Sequence, residues 1–169
     1  QTEGTSNPLK VYDTTPEFSA IFNDPNSGDT GIYYEIEINT ASDFSGTVMW
    51  DSGKTSISAI NNGGRSPEIS YAGTSLTTNG TKYYWKIRFW DNSNSVGTWS
   101  STANFIMSGS PTTPTELLVD GMTNPTVLNS IKPTFSAIYH DPNSDIASSY
   151  EIEVNTASDF TGTVMWDTG

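Results

Sequence analysis

The sequence contains no cysteine among its 169 residues. Disulfide bonds, thiolate metal sites and thiol nucleophiles are therefore excluded. It also contains no Gly-rich phosphate loop, no nucleophile elbow and no His/Cys metal cluster, so we expect no catalytic residues and no enzymatic activity in this segment. No apolar run approaches the roughly 18 residues that a bilayer-spanning helix needs, and we expect no membrane insertion.

Basic residues are scarce in this chain. It has 7 Lys and Arg against 19 Asp and Glu, which gives a net charge of −12. Nucleic acids and anionic membranes attract positive surfaces, so neither is a predicted partner. Charged residues make up 15% of the chain, and Ser, Thr, Asn and Gly take their place. This polar, uncharged composition is typical of secreted bacterial β-proteins and predicts an extracellular or cell-surface location.

One stretch of the chain occurs twice. Residues 16–53 read PEFSAIFNDPNSGDTGIYYEIEINTASDFSGTVMWDSG, and residues 133–169 read PTFSAIYHDPNSDIASSYEIEVNTASDFTGTVMWDTG. Pro16 and Pro133 are 117 residues apart, whereas Trp50 and Trp166 are 116 apart. A period of this length indicates a whole β-domain. We predict module 1 over residues 1–109, a Pro/Ser/Thr linker over 110–117 and an incomplete second module over 118–169.

Hydrophobic alternation predicts two long strands, Gly31–Asn39 and Lys82–Asp91. The predicted core face of the first carries Ile32, Tyr34, Ile36 and Ile38, and that of the second carries Tyr83, Trp85, Ile87 and Phe89. If the two strands are neighbours, Lys86 and Arg88 lie opposite Glu35 and Glu37. Shorter strands are predicted over residues 18–22, 47–51, 67–71 and 98–107, whereas 52–64 receives no clear assignment. About seven strands per module and no helical periodicity predict an all-β fold, an antiparallel β-sandwich.

Several motifs carry a family resemblance. They are Pro16, NDPNSGD at 23–29, YEIEI at 34–38, WDSGK at 50–54, Leu76, Gly80, YYWKIR at 83–88, Trp90-Asp91 and TWS at 98–100. With them the chain resembles fibronectin type III modules, in particular the bacterial form found in surface proteins and beside glycoside-hydrolase domains such as α-L-rhamnosidases. The resemblance implies a tyrosine corner at Leu76 and Tyr83. Such modules are mostly spacers and scaffolds.

A turn in each copy concentrates oxygen-bearing side chains. The candidate ligands of a hard cation such as Ca²⁺ are Asp24, Asn26 and Asp29 in the first copy and Asp141, Asn143 and Asp145 in the second. An Asp-Pro-Asn turn that bonds its own backbone explains the same residues without a metal, and we weigh it above calcium. No other cofactor is predicted.

Three aromatic residues are predicted on the solvent side of the long strands, namely Tyr33, Tyr84 and Trp90. Such rings can stack against sugars or anchor a protein interface. The alternative, which we favour, is that Trp90 and Trp99 pack over Arg88 in cation–π contacts. Glu35 and Glu37 resemble a glycosidase carboxylate pair only superficially, because basic residues are predicted opposite them.

The main functional prediction is a structural repeat module of a cell-surface protein, stalk or filament that serves as a spacer and assembly unit. The alternative is a non-catalytic accessory or carbohydrate-binding module of a secreted polysaccharide-degrading enzyme. The second copy lacks the strands that would cover its apolar face, so the expected partners are other repeats of the same protein or further copies of the chain. A glycan is a further candidate partner.

Overall fold

The computed structural model describes residues 1–26 and 28–169. Ser27, which lies in the predicted 24–29 turn, is outside the described residues. The chain divides into two compact units, residues 1–110 (unit 1) and residues 111–169 (unit 2). Within the described ranges every regular element is a β-strand, and no helix is long and apolar enough to cross a membrane.

Unit 1 is a β-sandwich. Its strands are β1 (Glu17–Phe18), β2 (Thr30–Asn39), β3 (Val48–Asp51), β4 (Thr55–Asn61), β5 (Ile69–Ser70), β6 (Lys82–Asp91) and β7 (Ala103–Ile106). One sheet has the order β3-β2-β6-β7, with β4 also paired to β2, and the other pairs β1 with β5. All of these pairings are antiparallel. The predicted all-β antiparallel sandwich is confirmed.

The core of unit 1 consists largely of rings, because the two long strands turn an aromatic or aliphatic face inward. Phe18 from β1 packs edge-on against Trp85 and Phe105 of the opposite sheet, with ring centres 5.1 and 5.6 Å apart. Ile36 and Ile38 on β2 are fully buried. Each such pair of aromatic rings stabilises the folded state by about 0.5–1.5 kcal/mol beyond the contribution of its buried area.

The predicted inward position of Ile32 is wrong. The register of β2 shifts between Gly31 and Tyr33 against both β4 and β6, which marks a β-bulge at Ile32. The bulge turns Gly31 toward the core instead, where a Cβ atom would lie 2.9 Å from the ring of Phe22. A side chain at position 31 would therefore displace a buried aromatic ring, whereas glycine lets the strand pass over it.

Other strand predictions also differ from the structure. The strands predicted over 18–22 and 67–71 are regular only at Glu17–Phe18 and Ile69–Ser70. Residues 52–64 contain a strand after all, since β4 bonds to the first half of β2. The predicted strand over 98–107 is shorter, because its first half follows β6 through irregular bonds, among them the amide of Ser100 to the carbonyl of Ile87 at 2.9 Å. Regular pairing with β6 begins at Ala103.

The turn before β6 contains the implied tyrosine corner. The hydroxyl oxygen of Tyr83 accepts a hydrogen bond from the backbone amide of Thr77 at 2.9 Å. Leu76 is buried directly before that amide. The buried ring and the bonded hydroxyl together fix the entry of the chain into β6.

Unit 2 contains the strands β8 (Thr112–Val119), β9 (Phe135–His140), β10 (Glu153–Asn155) and β11 (Val164–Asp167). They form two antiparallel pairs, β8 with β9 and β10 with β11. The segment 110–117, predicted as a linker, therefore lies mostly in β8. Its pairing with β9 shifts register twice. The first shift, between Thr112 and Thr115, spans Pro114, which cannot donate a ladder hydrogen bond, and the second, between Thr115 and Leu118, spans Glu116, whose φ is 51°. Within residues 111–169, all of which are described, no residue is buried.

Candidate functional site

The outward face of β2 and β6 carries two ion pairs. Cross-strand register places Glu35 opposite Arg88 and Glu37 opposite Lys86, as predicted. Their closest oxygen-to-nitrogen distances are 2.6 and 2.9 Å, and the four side chains are 15–30% exposed. Arg88 also donates through Nε to Glu35 at 2.8 Å. Both carboxylates are held by cations on a sheet surface, an arrangement unlike the opposed acids of a glycosidase.

Aromatic rings flank these cations in a continuous series, which we call the aromatic–cation row: Tyr33, Lys54, Trp90, Arg88, Trp99, Lys86 and Phe44. At its centre the guanidinium carbon of Arg88 lies 5.0 Å from the ring centre of Trp90 and 4.5 Å from that of Trp99. Both distances fall within the about 6 Å range of cation–π attraction. The packing of Trp90 and Trp99 over Arg88, which the sequence favoured, is present.

The two lysines extend the row in both directions. The ammonium of Lys54 lies 4.4 Å from the ring centre of Tyr33 and 5.2 Å from that of Trp90. Lys86 lies 3.9 Å from the ring centre of Phe44. These contacts occupy ring faces that a stacked sugar would need. The main effect of the row is therefore to stabilise the surface of the sheet.

The three rings predicted to bind a ligand do not form one platform. Tyr33 and Trp90 are cross-strand partners. Tyr84 lies six residues before Trp90 on β6, roughly 20 Å away along an extended strand. It is opposite Asn39 and Asn104 in the neighbouring strands. Glycan or protein contact through these residues stays a prediction, with Tyr84 separate from the other two.

A carboxylate cluster forms at the end of β6. Oxygen atoms of Asp24, Asp29 and Asp91 lie within 4.8 Å of one another, and Asp91 is buried. Carboxylate oxygens at this spacing suit a hard cation such as Ca²⁺. One oxygen of Asp91 already accepts the amides of Ser93 and Ser95, each at 2.8 Å.

The predicted metal ligands also make the self-bonded turns that were the alternative. Asp24 accepts the amide of Asn26 at 2.7 Å. In unit 2, Asp141 accepts the amides of Asn143 and Asp145 at 2.8 and 3.0 Å. These bonds explain why the turn motif recurs in both copies. Calcium binding at the predicted residues stays a prediction.

A groove of about 280 Å³ adjoins the carboxylate cluster. It runs between residues 20–24 and residues 87–100, and its polar lining includes Asp24, Asp91, Arg88 and Trp99. Its walls thus present both charge signs together with apolar side chains, among them Phe22 and Phe89.

The family model for the Rha78A-like N-terminal immunoglobulin domain matches residues 1–109. The chain belongs to this family. Two curated relatives are α-L-rhamnosidases from Alteromonas sp. (strain LOR) and Formosa agariphila. The first is 30% identical over 110 residues, which is 62% of this chain and 11% of the relative. The second is 30% identical over 105 residues, 60% of this chain and 10% of the relative.

Solved structures show the same fold. The chain matches the Streptomyces avermitilis α-L-rhamnosidase complexed with L-rhamnose at a TM-score of 0.54 and 24% identity, over 63% of this chain and 10% of that one. It matches the Dictyoglumus thermophilum α-L-rhamnosidase at a TM-score of 0.54 and 23% identity, over 81% of this chain and 16% of that one. The chain spans about a tenth of the length of the curated relatives. The family match confirms that residues 1–109 form an immunoglobulin-like domain.

Sequence reasoning missed Lys54, Phe44 and Asp91. The alternation that placed Phe89 inward also placed Asp91 inward, and a carboxylate at an inward position was a readable signal. Lys54 and Phe44 lie in segments outside the two long strands, and no spacing rule brings either of them to the row.

Proposed function

We propose that this chain is a non-catalytic accessory domain of an α-L-rhamnosidase-like glycoside hydrolase. The observation that carries the proposal is the match of residues 1–109 to the N-terminal immunoglobulin domain of Rha78A-like proteins, combined with relatives of which it covers about a tenth. Within that family the module is of the fibronectin type III kind, and the enzyme is secreted. Its role is to support and position the domains beside it.

The chemistry of the outward face supports a mechanical role. Glu35 and Glu37 are neutralised by Arg88 and Lys86, which leaves neither carboxylate in position to protonate a leaving group. The aromatic–cation row joins five segments, two strands and three loops, into one surface, and this raises the rigidity of the sheet at its exposed side.

The test uses the polypeptide that contains this chain. Deletion of residues 1–109 is expected to shorten its half-life at raised temperature while KM for an aryl α-L-rhamnoside changes by less than about twofold. The paired variant Glu35→Gln/Glu37→Gln is expected to leave kcat unchanged. A loss of kcat in that variant without loss of folding would contradict a non-catalytic role.

A second candidate function is a spacer in a repetitive surface stalk. The tandem repeat favours it, because the β10–β11 pair of unit 2 repeats the register of β2–β3 in unit 1. The gene decides between the two. A hydrolase domain in the same reading frame supports the accessory role, whereas many further repeats and no hydrolase domain support the stalk.

Carbohydrate binding by the accessory domain is tested separately on a glycan array. If Tyr33 and Trp90 contact a sugar, Trp90→Ala abolishes the signal and Tyr84→Ala leaves it intact, because Tyr84 lies at the other end of the sheet. No signal from the unmodified chain would remove the glycan prediction and leave the supporting role unaffected.

A further inference from the structure

The dipeptide Asn-Gly occurs twice in the chain, at Asn62-Gly63 and at Asn79-Gly80. Both asparagines are exposed in turns, and both glycines have positive φ, 79° at Gly63 and 82° at Gly80. Asn-Gly is the pair most prone to spontaneous deamidation, because glycine has no Cβ to keep its backbone nitrogen away from the preceding carboxamide. The two sites start from the same local chemistry, so a difference in their reactivity must come from the fold.

The reaction needs water and no enzyme. The backbone nitrogen of the glycine attacks Cγ of the asparagine and gives up its proton, the Cγ–Nδ2 bond breaks, and ammonia leaves with that proton from a cyclic succinimide. Water then adds to either carbonyl of the succinimide and opens the ring, so that the product is aspartate or isoaspartate. Before the attack the glycine N–H must leave its acceptor, and the carboxamide must rotate to bring Cγ to the nitrogen.

The fold holds the carboxamide of Asn62 at both ends. Its Oδ1 accepts the backbone amide of Asp24 at 2.9 Å, and its Nδ2 donates to the backbone carbonyl of Asp24 at 2.7 Å. The amide of Gly63 donates to the carbonyl of Phe22 at 2.9 Å. Asp24 is 38 residues away along the chain, so rotation of the carboxamide breaks both hydrogen bonds to a separate segment of the sandwich.

The carboxamide of Asn79 is bonded only within its own turn. Its Oδ1 accepts a hydrogen bond from the hydroxyl of Thr81, and its Nδ2 has no hydrogen-bond partner among the described residues. The Thr81 hydroxyl is bonded to the oxygen that gains negative charge when the glycine nitrogen adds to Cγ, so it stabilises the intermediate. The amide of Gly80 donates to the carbonyl of Met107 at 3.0 Å, and this is the hydrogen bond that must open before the attack.

We propose that Asn79 is a site of self-modification, at which attack by the Gly80 nitrogen converts the asparagine into aspartate or isoaspartate, and that the fold protects Asn62 from the same reaction. The proposal rests on hydrogen bonds within unit 1, so it is independent of the accessory-domain role. The reacting partner is water, and the product adds a negative charge to a chain whose net charge is already −12.

Conversion of Asn79 affects the entry of the chain into β6. The turn follows Thr77, whose amide is the donor of the tyrosine corner, and it precedes the first residue of β6. Isoaspartate routes the backbone through its side chain and so inserts an extra carbon before Gly80. The hydrogen bond from Gly80 to Met107 depends on the present spacing, and we expect it to be lost.

The test incubates the full chain at mildly alkaline pH and follows both asparagines by peptide mapping with mass spectrometry. In the folded chain Asn79 is expected to convert at least about tenfold faster than Asn62, because the reaction proceeds from locally opened turns and Asn62 must break more hydrogen bonds to open. In concentrated urea the two rates should agree within about threefold, since no tertiary contact then distinguishes them. In the control variant Asn79→Gln the mass change at position 79 should disappear, because glutamine forms the larger cyclic imide far more slowly, while the rate at Asn62 stays the same.

Three results would overturn the proposal. They are an absence of conversion at Asn79 in the folded chain while the urea-unfolded chain converts, equal rates at the two asparagines in the folded chain, and the same ratio of rates in urea, which would assign the difference to local sequence. Amide exchange measured by NMR tests the structural consequence, since exchange at Gly80 is expected to be at least about tenfold faster in the isoaspartyl chain than in the Asn79→Gln chain. Equal exchange in these two chains would contradict the loss of the hydrogen bond from Gly80 to Met107.

Discussion

Replacing Tyr83 with Phe removes one hydroxyl from the core of unit 1 and nothing else. The ring is 2% exposed and stacks on Phe105 with ring centres 5.6 Å apart, and phenylalanine keeps both features. The lost group is the acceptor of the Thr77 amide at 2.9 Å. The substitution therefore isolates the hydrogen bond of the tyrosine corner.

The magnitude follows from the fate of the Thr77 amide. A hydrogen bond of this type contributes about 0.5–1.5 kcal/mol, and the cost rises to about 3 kcal/mol when the remaining partner is left dry. Thr77 is exposed, so water can replace the hydroxyl. We expect Tyr83→Phe to lower the free energy of unfolding by about 1 kcal/mol, which corresponds to a Tm about 4 °C lower for a domain of this size.

Urea unfolding followed by tryptophan fluorescence measures the change, since most of the tryptophans lie in unit 1. The matched control is Tyr84→Phe on the outward face of the same strand, which should alter the free energy of unfolding by less than about 0.5 kcal/mol. If the two variants agree within about 0.3 kcal/mol, the tyrosine corner contributes nothing and the reasoning fails.

Two other predictions test close packing and loop electrostatics. Gly73→Ala would place a Cβ atom 2.3 Å from the carbonyl oxygen of Met49 and should lower the free energy of unfolding by about 2 kcal/mol or more. In the control Gly97→Ala the nearest atom to the new Cβ is 3.5 Å away, and the loss should be less than about 0.5 kcal/mol. Similar losses for the two variants in urea unfolding would refute this reasoning. The pKa values of Asp43 and Asp159 should both lie below the usual aspartate value, because each carboxylate accepts bonds from the hydroxyl and amide two residues later. The contribution of these two carboxylates to stability is fully present above the pKa of the unfolded chain and is lost as pH falls through the lower pKa of the folded chain. A ¹³C NMR titration in which both carboxyl groups have the usual aspartate pKa would contradict this prediction.

The sequence predicted the parts of the fold that depend on near neighbours. β6 has the predicted bounds, and the Glu35–Arg88 and Glu37–Lys86 pairs follow from alternation once β2 and β6 are neighbours. The bulge at Ile32 was missed because alternation assumes an unbroken pleat. The sequence GIYY does not indicate that the ring of Phe22 packs against Gly31.

The candidate sites were less predictable than the strands. The motif that suggested calcium supplied Asp24 and Asp29, but their third close carboxylate, Asp91, arrives from a strand more than sixty residues away. Lys54 joins the aromatic–cation row from the connection between β3 and β4. Groups brought together by folding over such separations leave no local spacing to read.

By itself the sequence determined the repeat, the sandwich class, the inward and outward faces of the long strands and the self-bonded turns, because each depends on side-chain period or on bonds spanning a few residues. The tertiary structure decided how much of each shorter segment is a strand. YEIE at 34–37 lies in the middle of β2, where β6 supplies backbone partners, whereas of YEIE at 150–153 only Glu153 lies in a strand, β10. A β-strand, unlike a turn, takes its hydrogen bonds from residues far along the chain or from another chain.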